Sequence, residues 1–288
     1  MKIRAPAKIN LRLRVVGQRK DGYHLIDTII VPISLYDEIE IIAAKKDRTR
    51  RTSSEKLKVT CDHPLVPEGR RNLVYRAASL LLRKSGIDVG VRIHIRKRIP
   101  VGAGLGGGSS DAAATMVALN RLFHLNFSTK ELQRLSLSLG ADVPFFIHGR
   151  PARARGIGER LAPVAKLPPL WAIVLYPGFA VSTAWVYEKF SLKLTKLTAN
   201  TSINSLIRTA EGLRKLLVND LEIVTMARYP QIRLLKSNLI QEGAIEALMS
   251  GSGSSVFGLF HSRERAKRAF HRLAKMDGPQ AFLVRVLD

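Results

Sequence analysis

Apolar and basic residues alternate along residues 2–16 (KIRAPAKINLRLRVV), the pattern of a strand with one buried face. Asp21-Gly22 marks a turn, and Ile26–Val31, Glu38–Ile42 and Leu57–Cys61 read as further strands. Asn72–Lys84 switches to helical spacing, with Leu73, Ala77, Leu80 and Leu81 on one face and Gly86 as the stop. Val91–Arg98 (VRIHIRKR) alternates strictly, turning Val91, Ile93 and Ile95 inward, and Pro100 ends that strand. A glycine-dense stretch follows, then a helix from about Ser110 to Phe123 and a second, capped by Ser128 or Thr129, reaching Leu139. Gly140–Pro144 (GADVP) reads as a sharp turn, Gly149–Leu161 (GRPARARGIGERL) as a hairpin, and Pro163–Pro169 as a crossover between domains.

The second half opens on the strand Trp171–Tyr176 and continues through helices near Thr183–Phe190, Ile203–Leu217 and Asp220–Ala227. Then come the apolar Ala244–Met249, the loop SGSGSS (250–255), the strand VFGLF, a basic helix Arg263–Lys275 and a last strand Ala281–Val286. The uncharged stretch Leu167–Tyr187 is about as long as a bilayer span of ~20 residues. Pro168, Pro169, Pro177 and Gly178 cut it into a buried strand, a turn and a helix start. Strands and helices mix without a strict βαβα rhythm, which favours an α+β fold over a doubly wound sheet. Two domains are expected, residues 1–162 and 163–288.

Composition narrows this only slightly. With 288 residues, 46% hydrophobic and 24% charged, the chain is globular and core-forming. The single cysteine, Cys61, excludes an intrachain disulfide. It fits a reducing compartment, so a cytoplasmic location is expected. The N-terminus has no continuous apolar core of a secretory signal, and no Cys/His cluster has zinc-ligand spacing. The net charge of +24 suits nucleic acid, an acidic membrane or a polyanionic substrate, or is a solvated basic exterior. It is densest in Ala44–Lys58, which reads as a loop between two strands.

The chemistry concentrates in Ile99–Ala114, IPVGAGLGGGSSDAAA, with five glycines in the seven residues Gly102–Gly108. A Walker A loop needs a lysine after its last glycine; Ser109-Ser110 follow Gly108 instead. Gly102, Gly104 and Gly107 satisfy the dinucleotide pattern, but Asn126 and Phe127 stand where the ribose-binding acid belongs, about 20 residues on. The third reading is an anion loop on a helix N-terminus. Glycines let backbone N–H groups crowd a phosphate chain, the helix dipole adds positive potential, and Ser109 and Ser110 offer hydroxyls to phosphate or metal.

The pattern P-x-x-x-G-L-G-(GG)-S-S-x-A-A resembles the phosphate loop of the GHMP kinase superfamily, small-molecule kinases with a two-domain α+β fold. APAKINL (5–11), GQRKDGYH (17–24), LGADVPFF (139–146) and SGSGSSVFGLF (250–260) resemble further motifs, in order. The extra Gly107-Gly108 pair and the GYH segment resemble the branch of non-mevalonate isoprenoid biosynthesis. That resemblance implies a ribosomal-protein-like N-terminal domain, a ferredoxin-like C-terminal sandwich, and ATP with Mg²⁺ as cofactors. It implies 4-diphosphocytidyl-2-C-methyl-D-erythritol as the small-molecule partner, phosphorylated on its 2-hydroxyl. No specific nucleic acid or membrane partner is expected, and the chain is expected to be a monomer or weak homodimer.

The resemblance also assigns roles. Pro100, Val101, Gly102, Ala103, Gly104, Leu105, Gly106, Gly107, Gly108, Ser109 and Ser110 would hold ATP, with Ser110 as candidate Mg²⁺ ligand. Asp142, otherwise a turn or cap residue, becomes the general base, and Lys8, otherwise a solvated strand lysine, its charge partner. Tyr23 and His24 would recognise cytosine, with Tyr187 as a second aromatic. Asn10 and Thr183 would contact the methylerythritol or diphosphate portion, and Gly251, Ser252 and Gly253 form the third motif. Ala103, Arg71 before Asn72, and Glu188 depart from the family pattern. The rivals are another GHMP kinase with a different alcohol and, from another class, a basic RNA-binding protein.

Overall fold

The computed structural model describes residues 1–44, 56–191, 206 and 209–288. The chain forms two compact units that interleave in sequence. The first comprises Met1–Ala7, Tyr36–Val101 and Gly106–Gly149, the second Lys8–Leu35, Gly102–Leu105 and Arg150–Asp288. Strands β1 (Lys2–Gln18) and β2 (His24–Ala44) each contribute residues to both.

Strand β2 corrects the expectation of two short strands at 26–31 and 38–42. It is one strand of 21 residues with Pro32 inside it. Besides pairing with β1, it pairs with β5 over Ile26–Ile30 and with β4 over Glu38–Ala44, so the proline falls between the β5 and β4 ladders and its missing N–H removes no bond from either of those two.

In the first unit, β3 (Leu57–Cys61) runs parallel to β4 (Gly90–Arg96), and β4 runs antiparallel to the later part of β2. Val91, Ile93 and Ile95 are buried, as their alternation requires. Helix α1 (Leu73–Ser85) starts where the Asn72 side chain accepts the Val74 N–H, and stops at Gly86 in the left-handed conformation. Its buried stripe is Val74, Ala77, Ala78, Leu81 and Leu82. The expected Leu73 and Leu80 are only half-buried, so the inward face is rotated slightly from the one anticipated.

Helix α2 spans Gly107–Leu122, packs on α1, and starts three residues before the expected Ser110. The glycine pair is thus its first turn; low helix propensity hides this in the sequence. Helix α3 (Thr129–Ser136) carries a capping box between Ser128 and Glu131 and ends before the expected Leu139. Val143–His148, partly read as a turn, forms a short helix α4, with Pro144 in its first turn where no N–H is required.

In the second unit, β5 (Ala152–Gly156) and β6 (Arg160–Pro163) form the expected hairpin, and β5 pairs with the early part of β2. Arg153 grips Asp27 across that pair through both Nε, at 2.6 Å, and Nη2. Strand β7 (Trp171–Tyr176) is central in an antiparallel sheet ordered β11 (Gln280–Arg285), β7, β10 (Val256–Phe260), β9 (Ala247–Met249). The two-residue β8 (Val218–Asn219) pairs parallel with β1.

Helices α5 (Thr183–Lys189), α6 (Ala210–Leu216), α7 (Glu222–Arg228), α8 (Gln231–Gln241) and α9 (Arg263–Leu273) complete the unit. Its core joins Leu13 and Val15 of β1 to Ile173, Leu175, Val186, Ile232, Leu235, Leu239 and Phe260. Each such side chain contributes roughly 1.5–3 kcal/mol on burial. The uncharged stretch 167–187 is a strand, a turn and a helix, and no helix among the described residues is long and apolar enough to cross a membrane. Helix α8 was not anticipated, and α7 starts after Asp220 because that carboxylate is engaged by Arg14 and the Val15 N–H. Most of the expected loop 44–58 and the start of the expected helix 203–217 lie outside the described residues.

Candidate active site

Within the second unit, the arc Gly102–Leu105 is tied down through its carbonyls. Gly102 O accepts the Val181 N–H at 3.2 Å, Ala103 O the Ser255 N–H at 3.1 Å, and Leu105 O the Lys8 N–H at 3.0 Å. Gly104 O accepts the Ser250 hydroxyl at 2.9 Å. In a trans peptide the N–H points opposite the carbonyl, so these bonds turn the N–H groups of Ala103, Gly104 and Leu105 away from the anchoring residues. The packing leaves no room for a side chain at residue 104, where a Cβ would lie 2.0 Å from the Ser250 carbonyl oxygen. Positive φ falls on Gly102 and Gly104 and skips Ala103, whose methyl therefore introduces no backbone strain.

Lys8 and Asn10 are buried, 4% and 3% exposed, on the middle of β1. Lys8 Nζ donates to Asn10 Oδ1 at 2.5 Å, and Asn10 Nδ2 donates to Thr28 Oγ1 at 2.9 Å. The SGSGSS loop reaches the same place: a Cβ on Gly251 would lie 3.2 Å from Lys8 Nζ and 3.3 Å from Gly104 O. Asn219, which sequence reasoning missed, holds that loop by donating to the carbonyls of Met249 and Gly251 at 2.8 and 2.7 Å. Thr183 Oγ1 lies 2.8 Å from Ser252 Oγ, and Ser252 O accepts the Thr225 hydroxyl. At Gly253 a side chain would collide with Met249 Sδ.

The His24 and Tyr187 rings approach to 5.3 Å, with Phe190 edge-on to His24. Partial burial lowers the His24 pKa, so the ring is neutral at pH 7. Tyr23, in the preceding turn, is 62% exposed. The described ring contacts thus pair Tyr187 with His24, whereas the sequence reading set Tyr187 and Tyr23 about the base.

In the first unit, Pro100 and Val101 follow β4 and precede the arc. Gly106 caps α2 in the left-handed conformation, and the Ser110 N–H bonds to Gly106 O at 2.9 Å. The N–H groups of Gly107, Gly108 and Ser109 precede the first intrahelical bonds, as in any helix, and can meet an anion. Ser110 Oγ is buried with no hydrogen-bond partner among the described residues. That orphaned hydroxyl suits a Mg²⁺ held chiefly by phosphate oxygens, where a hard cation needs few protein ligands. No group of three or more His, Cys, Asp or Glu placed to hold a metal occurs among the described residues.

Beneath that first turn, Lys97 lies between Asp37 and Asp111, a cluster that sequence reasoning did not identify. Burial, then the nearby charge of Asp37, raises the Asp111 carboxyl to about 7, against the pull of Lys97. Asp142 occupies the cap position of α4, half-buried, but its side chain makes no capping hydrogen bond, leaving the ordinary structural role of such an aspartate unused. Asn72 is committed to structure: it caps α1 and donates to Pro67 O at 2.9 Å.

Residues 72–150 match the GHMP kinases N terminal domain and residues 198–277 the GHMP kinases C terminal domain. A 4-diphosphocytidyl-2-C-methyl-D-erythritol kinase of Syntrophus aciditrophicus is 45% identical, with 100% of both chains covered. One of Citrifermentans bemidjiense is also 45% identical, covering 100% of this chain and 99% of its own. The crystal structure of a 4-(cytidine 5'-diphospho)-2C-methyl-D-erythritol kinase superposes with a TM-score of 0.83 at 38% identity, covering 100% of both chains. Matched in both domains and along its full length, this chain belongs to the GHMP kinase family.

Proposed function

We propose that the chain transfers the γ-phosphoryl group of ATP to the 2-hydroxyl of 4-diphosphocytidyl-2-C-methyl-D-erythritol. The observation that carries this reading is the whole-length similarity, at 45% identity, to kinases named for that acceptor. The clamped glycine arc beside Lys8 and the His24–Tyr187 pair suit a phosphate chain and a planar base, respectively.

In the reaction, the acceptor oxygen attacks Pγ as its proton passes to the Asp142 carboxylate. The bond from Pγ to the bridging oxygen breaks, and ADP leaves with those electrons. Lys8 stabilises charge on the transferred group, and Asn10 orients Lys8. Residues Pro100–Ser110 bind the ATP phosphates, with Ser110 as one ligand of Mg²⁺, which when bound neutralises phosphate charge. Asn10 and Thr183 hold the acceptor, Tyr23, His24 and Tyr187 the cytosine, and Gly251–Gly253 support the transfer end. A domain boundary at 162/163, cytoplasmic location and a monomer or weak dimer complete the reading.

The test is ADP release with the cytidyl substrate against mevalonate, homoserine and galactose. Turnover only with one of the latter three refutes the substrate assignment. Asp142→Asn is expected to retain ATP binding and lose most of kcat; near-normal kcat removes Asp142 from the role of base.

A further inference from the structure

The Asp37–Lys97–Asp111 cluster has no part in the chemistry proposed above, and all three side chains are at most 4% exposed. Lys97 Nζ donates to Asp111 Oδ2 at 2.8 Å and also to Asp37 Oδ2. Asp37 Oδ1 accepts the backbone N–H groups of Arg98 and Ile99 at 2.6 and 2.9 Å, which fixes the chain just before Pro100. Asp111 lies one helical turn beyond Gly107, on the same face of α2. A Cβ on Gly107 would lie 3.0 Å from Lys97 Nζ and 3.1 Å from Ile99 Cγ2. The ammonium therefore sits directly under the first turn of α2, where a methyl on residue 107 would press on it and on Ile99.

A buried ionic cluster is a poor way to gain stability, because desolvation offsets most of its attraction. It is an effective way to set position, because its geometry is specific. We propose that Lys97 is a positioning residue for phosphate binding: gripped by Asp37 and Asp111, it seats the first turn of α2 on the end of β4. That holds the N–H groups of Gly107, Gly108 and Ser109 in the orientation that phosphate requires. The inference rests on the kinase reading and adds a residue to it. It also explains the glycine at 107, whose missing side chain serves the lysine beneath as well as the anion above.

The test uses the full chain with Lys97→Met combined with Asp111→Asn, which removes the ammonium without leaving Asp111 charged and unpaired. ATP and adenosine affinities are measured by competition, alongside circular dichroism. The expected result is a folded protein that binds ATP at least about tenfold more weakly and adenosine within about twofold of the parent. Equal weakening of ATP and adenosine, or unchanged ATP affinity in the folded variant, overturns the proposal. If the double variant does not fold, Gly107→Ala carries the test, since its methyl points onto Lys97 and Ile99. The same selective loss of ATP affinity is expected, and its absence overturns the proposal. A parent protein that binds no ATP refutes the kinase reading itself, a separate outcome.

Discussion

The amide oxygen of Asn10 holds the Lys8 ammonium at 2.5 Å, two residues along β1, while its amide nitrogen is held by Thr28. Asn10 thereby aims a buried cation. Lys8→Met is expected to lower kcat by about a hundredfold or more, with the KM for ATP changed less than about threefold, as for loss of a group acting mainly in the transition state. Asn10→Leu, which removes one of the ammonium's partners, should cost about tenfold in kcat. Steady-state ADP release measures both; a Lys8→Met variant that changes only KM contradicts this role.

Gly104 and Gly108 predict opposite behaviour from the same substitution. Gly104 has φ +77°, and an added Cβ would strike the Ser250 carbonyl. Gly104→Ala should destabilise the fold by about 3 kcal/mol or more in urea titration, through strain and collision together. Gly108 has open space around the Cβ position and ordinary φ within α2. Gly108→Ala should keep or raise stability by up to about 1 kcal/mol while raising the KM for ATP, since the cost falls on the bound phosphate and not on the fold.

Burial depresses the His24 pKa below its ordinary 6.5. The neutral ring then persists down to pH values below that, and protonation at lower pH gives the side chain proposed to meet cytosine a charge it lacks at neutrality. The KM for the cytidyl substrate is expected to be flat from about pH 7 to 9 and to rise as pH falls below about 6. Tyr187→Ala should raise that KM by about tenfold at every pH. A KM that rises instead between about pH 7 and 9 excludes a neutral His24 as the recognition group.

Asp111 links stability to pH with the opposite sign to an ordinary paired carboxylate. Its pKa is raised from 3.8 to about 7, so between those values the folded chain holds a proton that the unfolded chain releases. Stability is full below the unfolded value and declines as pH rises through the folded one. Between about pH 5.5 and 8 this site should cost on the order of 1–2 kcal/mol, and Asp111→Asn should remove that dependence. Urea denaturation of both proteins at the two pH values checks it; identical pH dependence would place the proton elsewhere.

Local pattern carried much of this fold into view. Alternation identified β4, and continuous apolar runs identified β7 and β10, to within two residues, because each has neighbours that bury one face or both. Gly86 marked the end of α1 because a left-handed stop is local chemistry, whereas Asn72, read as the first helical residue, is its cap. The glycine run was legible as a stretch without room for side chains, and at Gly102 and Gly104 a positive φ and close neighbours bear that out. The single strand β2 was not legible, because Pro32 splits the local pattern while the strand runs on from the β5 ladder to the β4 ladder. Nor was α8, whose buried stripe of Ile232, Leu235 and Leu239 is blurred by the exposed apolar residues Leu234 and Ile240.

By itself the sequence determined most of the shorter strands, the Ser128 cap and the glycine-dense stretch before α2, all consequences of spacing within a few residues. Only tertiary structure decided that Asp37 and Asp111, 60 and 14 residues from Lys97, would close on one ammonium. Only it decided that Asn219 would hold the loop at Gly251, 32 residues away. Side-chain periodicity reports which face of an element is apolar, whereas ion and hydrogen-bond partners are chosen by how distant backbone segments come to lie beside one another.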